Sequence, residues 1–236
     1  MRARIALEDG NIPLARRLLM RQLLITAAAL ALLLGGIGAA ATRFAVNSEL
    51  EHFAERFLLL STLRKEALES YFDTVRAEIT FWSLNTDILS KQADMSRYWK
   101  AYQDAADKAD ARLDYDFATS ALQAELDFLA KLFVVERGYY DFFLIGKDGN
   151  VLYTVEKEAD LETNLISGPW RETGLAQVFE RVVQAAEGRA VVFSDFAPYA
   201  PSAGEPAMFV ATAMLNADGE LLGVLALQLP TERIKS

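Results

Sequence analysis

Nineteen consecutive residues, Leu23 to Ala41, carry no charge: "LLITAAALALLLGGIGAAA". As a helix this run spans roughly 28 Å at ~1.5 Å per residue, about the depth of a bilayer's hydrocarbon. It therefore restricts this part of the chain to a membrane helix, a cleaved leader or a wholly buried core helix. Arg2, Arg4, Arg16, Arg17 and Arg21 flank it against only Glu8 and Asp9, leaving +3 on residues 1–21 and −12 on the rest of a chain of net charge −9. The basic flank of an anchor stays in the cytoplasm. Residues 1–21 thus read as a cytoplasmic stub, 22–42 as a transmembrane helix in contact with lipid, and everything after 42 as lying outside. A leader would share the pattern, with Ala39-Ala40-Ala41 as its small-residue site, but both the basic region and the apolar run are long for one. A retained anchor is the preferred reading. Gly35, Gly36 and Gly38 would let two such helices approach closely.

The acidic body argues against nucleic acid, whose phosphates need a basic face. There is no cysteine, so no disulfide, thiolate nucleophile or cysteine-based zinc site. His52 is the only histidine and sits in a charged helical context, "ELEHFAERF". No cofactor and no metal are expected.

Beyond the anchor the pattern is helical. Leu50, Phe53, Phe57 and Leu60 form one stripe, and Leu68, Phe72, Val75, Ile79 and Trp82 a second. The eight-residue step between them shifts the stripe around the helix as a stutter would. One helix from near Thr42 to near Leu84 is predicted, a stalk packed on later helices or on a copy of itself. "SLNTD" at 83–87 offers Asn85, Thr86 and Asp87 as caps. Two shorter helices follow, over 94–114 and 115–136. The first carries Arg97, Tyr98, Trp99 and Tyr102, read as packing rather than a ligand site. In the second, Phe117, Ala121, Ala124, Phe128 and Lys131-Leu132 read as the core face. Gly138 closes it.

At Gly138 the period changes. Tyr140, Phe142 and Leu144, then Val151, Tyr153 and Val155, bracket "GKDGN", a strong hairpin signal. Residues 209–229 repeat the pattern through Asp218-Gly219. Between the hairpins lie an amphipathic helix, Gly174–Glu187, and a strand-like segment, 189–196. The fold class is α+β: an antiparallel sheet of about five strands, one face covered by the long helix.

Four stretches, "FFLIGKDGNVLYTVEKEADLETNL", "GPWRETGLAQVF", "VVFSDFAPYAPSAGEPAMFVATAML" and "DGELLGVLALQL", resemble the extracytoplasmic Cache sensor domains of bacterial receptors, a PAS-like fold. The resemblance is strongest over 138–230. With the anchor and the helical region 43–137 included, the chain is similar to the amino-terminal half of a double-Cache sensor, as in chemoreceptors, membrane histidine kinases and membrane cyclases. It implies a bacterial inner membrane, a ligand-sensing role with chemoreceptor-type output preferred, and a homodimer through the long helix. Residues 231–236 read like the start of a following helix, and a piece of a longer receptor is the preferred reading. Carried over by position, the resemblance implies a small-molecule site with Tyr153 on the second strand, Trp170 and Arg171 on a lid loop, and Asp195 and Tyr199 by the third strand. Amino-acid-binding members carry an arginine, a spacer, then tryptophan and tyrosine on the lid, where this chain has Gly168-Pro169-Trp170-Arg171. Their last strand carries an amine-holding aspartate where this chain has Gln228. An organic acid or an amine is therefore the expected ligand class.

Catalysis is not expected, because no nucleophile elbow, phosphate loop or HExxH occurs. Glu156, Glu158, Asp160 and Glu162 read as a solvated edge rather than an acid/base pair. The competing reading is a membrane-anchored structural or interaction module of the envelope with no small ligand.

Overall fold

The computed structural model of the chain describes residues 12–185 and 189–231. Helix α1 runs Ile12–Ser83, α2 Thr86–Asp104, α3 Lys108–Arg137 and α4 Gly174–Gln184; the strands are β1 Asp141–Gly146, β2 Val151–Thr154, β3 Val192–Phe193, β4 Ala197–Pro198, β5 Pro206–Leu215 and β6 Leu221–Leu229. Two compact units result, Met1–Ala67 and Leu68–Ser236.

In the first unit, Arg16–Glu49 is long and apolar enough to cross a membrane, and none of its apolar side chains is buried. Phe53, Phe57 and Leu60 of the first stripe are exposed as well. Residues 1–11 of the expected stub lie outside the described residues, as do 232–236, where a following helix was expected.

In the second unit the starts of α2 and α3 and the end of α3 have local causes. The Asn85 side chain accepts from the amides of Asp87 and Ile88 at 3.0 and 3.2 Å and starts α2. Asp107 does the same for α3 through Ala109 and Asp110, satisfying amides that a helix start leaves free. The break therefore falls at Ala105–Asp107, which corrects the expected helices over 94–114 and 115–136. Gly138 takes φ 68° and closes α3.

The sheet is antiparallel, ordered β2-β1-β6-β5-β3, with β4 paired to β5. Side chains alternate between two cores. One core holds Phe142, Leu144, Val210, Leu225 and Leu227 against Val75 and Ile79 of α1, Ile88 and Met95 of α2, and Leu126 and Ala130 of α3. The covering layer is thus three helices rather than the long helix alone. Trp99 is buried there against Tyr102 and Tyr115. The other core holds Phe143, Ile145, Phe209 and Val224 against Leu175, Val178, Phe179 and Val182 of α4. Because residues 68–137 share a core with the sheet, the expected boundary at residue 138 does not separate compact units.

One expectation is reversed. The face of α3 read as core is on the surface: Phe117 is 86% and Phe128 72% exposed. The buried face is Tyr115, Thr119, Leu126, Ala130, Phe133 and Val134.

Candidate functional site

The face that α4 covers turns polar where β1 begins and β6 ends. Asp141 and Gln228 are register partners there. By the strand period both share the side of Phe143 and Ala226. Over them lies the loop 155–164, followed later by the turn that carries Tyr199 and Ser202. Lys157 and Glu162 both take positive φ, 53° and 61°. The loop is therefore folded rather than extended, and its acids do not all point one way.

That folding corrects the solvated-edge reading. Asp160 is fully buried and accepts a 2.6 Å hydrogen bond from Tyr199 Oη. Glu158 accepts from Ser202 Oγ at 2.7 Å and from Tyr140 Oη at 2.8 Å. Gln228 Nε2 donates to Ser202 Oγ at 3.1 Å. Asp141 Oδ1 takes three amides, those of Phe142, Val155 and Glu156. The second oxygens, Asp160 Oδ1 and Asp141 Oδ2, are buried and make no hydrogen bond of ordinary geometry among the described residues, although the Thr154 hydroxyl stands against Asp141 and the amides of Asp160 and Leu161 against Asp160.

Burial governs the titration of this cluster. It pushes the Asp141 carboxyl up to about 7 despite its three amides. It raises Asp160 too, against the bond from Tyr199. Tyr199 is driven up by burial and then by the neighbouring Asp160 charge. Its ring fills the space between loop and sheet, 4.8 Å from Phe209. Tyr199→Phe removes the partner of a buried carboxylate and is expected to cost about 1–3 kcal/mol, read by urea denaturation. An unchanged midpoint would show that the bond contributes nothing.

On its outer side the same loop is tied to α3. Arg112 grips Glu162 with two bonds of 2.6 and 3.0 Å, and Lys157 Nζ lies 2.8 Å from Asp127. Asp127 also accepts from Tyr153 Oη at 2.9 Å. Burial tends to raise the Asp127 carboxyl, but these bonds and the lysine charges hold it below the usual range.

The five residues expected to form a site are not all brought together. Tyr199 is in the polar cluster, and Trp170, whose Nε1 donates to Ala159 O at 3.2 Å, covers the adjoining loop. Tyr153 stands on the opposite face, because its pairing with Leu144 aims it at the helical core. Arg171 is exposed, bonded to Gly168 O, and lines an open groove of about 370 Å3 with Phe179 and Glu180 of α4. Asp195 is exposed, its backbone carbonyl accepting from Ser194 Oγ. Asp141, Glu158, Asp160 and Ser202 were missed. In the sequence only the acid that opens "DFFLIG" and those that follow Val155 in "VEKEAD" mark the first three.

No model of a known protein family matches the chain, and no curated protein sequence does. Among solved structures, the chain is similar to the sensor domain of the histidine kinase DctB from V. cholerae, at 18% identity and a TM-score of 0.38, over 71% of this chain and 58% of that one. It is similar to the DcuS sensor domain from E. coli at 11% identity and 0.40, over 69% and 93%. It is also similar to the ligand-binding domain of the Campylobacter jejuni chemoreceptor Tlp3, described in complex with L-norvaline, at 11% and 0.42, over 73% and 56%. The chain thus spans a little over half of the DctB and Tlp3 chains. Likeness at this level leaves function to be read from the chain's own residues.

Proposed function

We propose that this chain is the sensing region of a membrane-anchored bacterial receptor, and that its ligand is a small molecule bearing an amine or another cationic group. The observation that carries the reading is two buried carboxylate oxygens, Asp160 Oδ1, whose carboxyl feels the charge of Glu158, and Asp141 Oδ2, neither of which makes a hydrogen bond of ordinary geometry among the described residues. An uncompensated buried acid is costly, and a cation set against it repays that cost. This selects an amine over an organic acid. Asp160, Glu158 and Gln228 would hold the cation, with Tyr199 moving aside and Trp170 closing the cover. Arg171 would stand at the rim, Asp195 near the turn that moves, and Tyr153 would act through Asp127 rather than on the ligand.

In this proposal residues 22–42 lie in lipid with the amino terminus in the cytoplasm. The exposed stripe Phe53, Phe57 and Leu60 joins two copies. Ligand would favour one arrangement of the loop 155–164, and α1, whose Val75 and Ile79 lie in the sheet's core, would carry the shift toward the anchor.

The test is a thermal-shift series on the full chain in detergent with amines, amino acids and dicarboxylates, since a ligand for the folded state alone raises its melting temperature. A shift with amines that Asp160→Asn removes is expected. Shifts with dicarboxylates only would overturn the choice of an amine, and no shift at all would sink the reading and favour the envelope-module alternative.

A further inference from the structure

Helix α3 is apolar on two opposite sides. One side is the core face already described. The other is Phe117, Ala121, Ala124, Phe128 and Val135, with Leu113 and Leu132 beside it, and all seven are exposed. The steps along it are four, three, four and seven, which is the 3.5-residue repeat of a coiled-coil seam. In that heptad Leu126, Ala130 and Phe133 fall on the far side of the helix, so the seam is not the margin of the core.

We propose that this seam is an interface with the α3 of a second copy of the chain, paired antiparallel about a two-fold axis between Leu122 and Gln123. In that register Phe117 meets the other copy's Phe128, Ala121 meets Ala124 and Leu113 meets Leu132, so large residues flank a centre of alanines that lets the backbones close. The same register sets Asp114 against Lys131, opposite charges at both ends. An in-register parallel pair would set Lys131 against Lys131 and Asp114 against Asp114. An isologous contact of this kind is self-complementary and closes on itself. Its area suffices. Four phenylalanines, at roughly 150–250 Å2 apiece, supply the larger part of the ~1,200 Å2 at which specific interfaces begin, before the leucines and Val135 are added. The contact is separate from the one proposed along Phe53–Leu60 and needs no ligand.

Because the chain has no cysteine, cross-linking reads the register directly. Full-length chains carrying Leu113→Cys or Leu132→Cys, differently tagged, are purified in detergent, mixed and treated with a short bismaleimide. The mixed pair is expected to cross-link and each variant alone is not, since in the antiparallel pair two copies of position 113 lie about 28 Å apart along the axis. Lys131→Asp should abolish the mixed cross-link, and adding Asp114→Lys should restore it. Phe117→Ser with Phe128→Ser should abolish it while the circular dichroism of the folded chain is unchanged, both rings lying outside the chain's own core. Self-cross-linking of Leu113→Cys would establish a parallel contact and overturn the proposal. So would no cross-link at all.

Discussion

Gly223→Ala is expected to be the most damaging small substitution in the second unit, costing about 2–6 kcal/mol. Gly223 lies in β6 opposite Gly146 and on the helical side of the sheet. A methyl there would collide with the backbone oxygen of Ile145 and with the amide of Gln92. Gln92 is fully buried on α2, and its Nε2 donates to that same oxygen at 3.0 Å. Neither neighbour can retreat: one belongs to the β1–β6 ladder and the other fixes how closely α2 lies on the sheet. Overpacking costs about 1–3 kcal/mol, and losing the buried bond adds about 1–3 kcal/mol. For a unit of this size the sum lowers the melting temperature by roughly 4–24 °C. Gly204→Ala is the control. It has positive φ, 78°, but open space around it, so only backbone strain of about 1–2 kcal/mol applies. If the two variants melt together, the close approach of α2 through Gly223 is wrong.

This contact also shows where reading the sequence stops. Both hairpins were legible because an Asp-Gly turn between alternating runs is a local signal, and Gly149 and Gly219 do take φ of 87° and 81°. Asn85 and Gly138 were legible for the same reason, each satisfying or ending a helix within four residues of itself. Nothing local marks Gly223, whose meaning depends on Gln92, more than a hundred residues earlier. Periodicity also failed to tell which face of α3 goes inward. Phe117, Ala121, Ala124 and Phe128 are more apolar than Tyr115, Thr119, Leu126 and Ala130, yet the second set is buried. Hydrophobic spacing reports that a face needs a partner, and not whether the partner is the chain's own sheet.

The polar cluster was illegible for a related reason. Glu156, Glu158, Asp160 and Glu162 alternate as an exposed strand would. Positive φ at Lys157 and Glu162 splits them, turning Glu158 and Asp160 inward while Glu162 reaches Arg112. Non-glycine residues seldom take that conformation, so a pattern that assumes an extended chain puts all four in water. Tyr199 lies in this cluster, bonded to Asp160, whereas Tyr153 packs in the helical core. The β1–β2 pairing goes from Leu144↔Tyr153 to Ile145↔Val151 and so skips Leu152, and in a strand as short as β2 one such shift decides the face.

Stability of the unliganded chain is expected to fall as pH rises from about 4 to about 7 and then to level off. The cause is Asp141, which burial raises from 3.8 to about 7. Between those values the unfolded chain has released the proton that the folded chain still holds. The folded state then binds more protons, and raising the pH disfavours it. At ~1.4 kcal/mol per unit the full window is worth about 4 kcal/mol, and Asp160, also raised by burial, acts in the same direction. Asp127, held low by Lys157 and Tyr153, contributes the opposite slope, but only as pH falls toward and through its depressed value. Asp141→Asn keeps an acceptor for the three amides and replaces the unpartnered oxygen with a neutral donor. It should match the parent at pH 4.5, exceed it at pH 7.5, and flatten the profile of urea midpoints. A cation bound beside Asp141 and Asp160 would stabilise their charged forms, so binding must release protons and the affinity for amines should rise across the same window. A parent profile that climbs from pH 4.5 to 7.5, with Asp141→Asn weaker at both ends, would mean that Asp141 is buried as a carboxylate satisfied by its amides. No charge would then be left there for a ligand to neutralise.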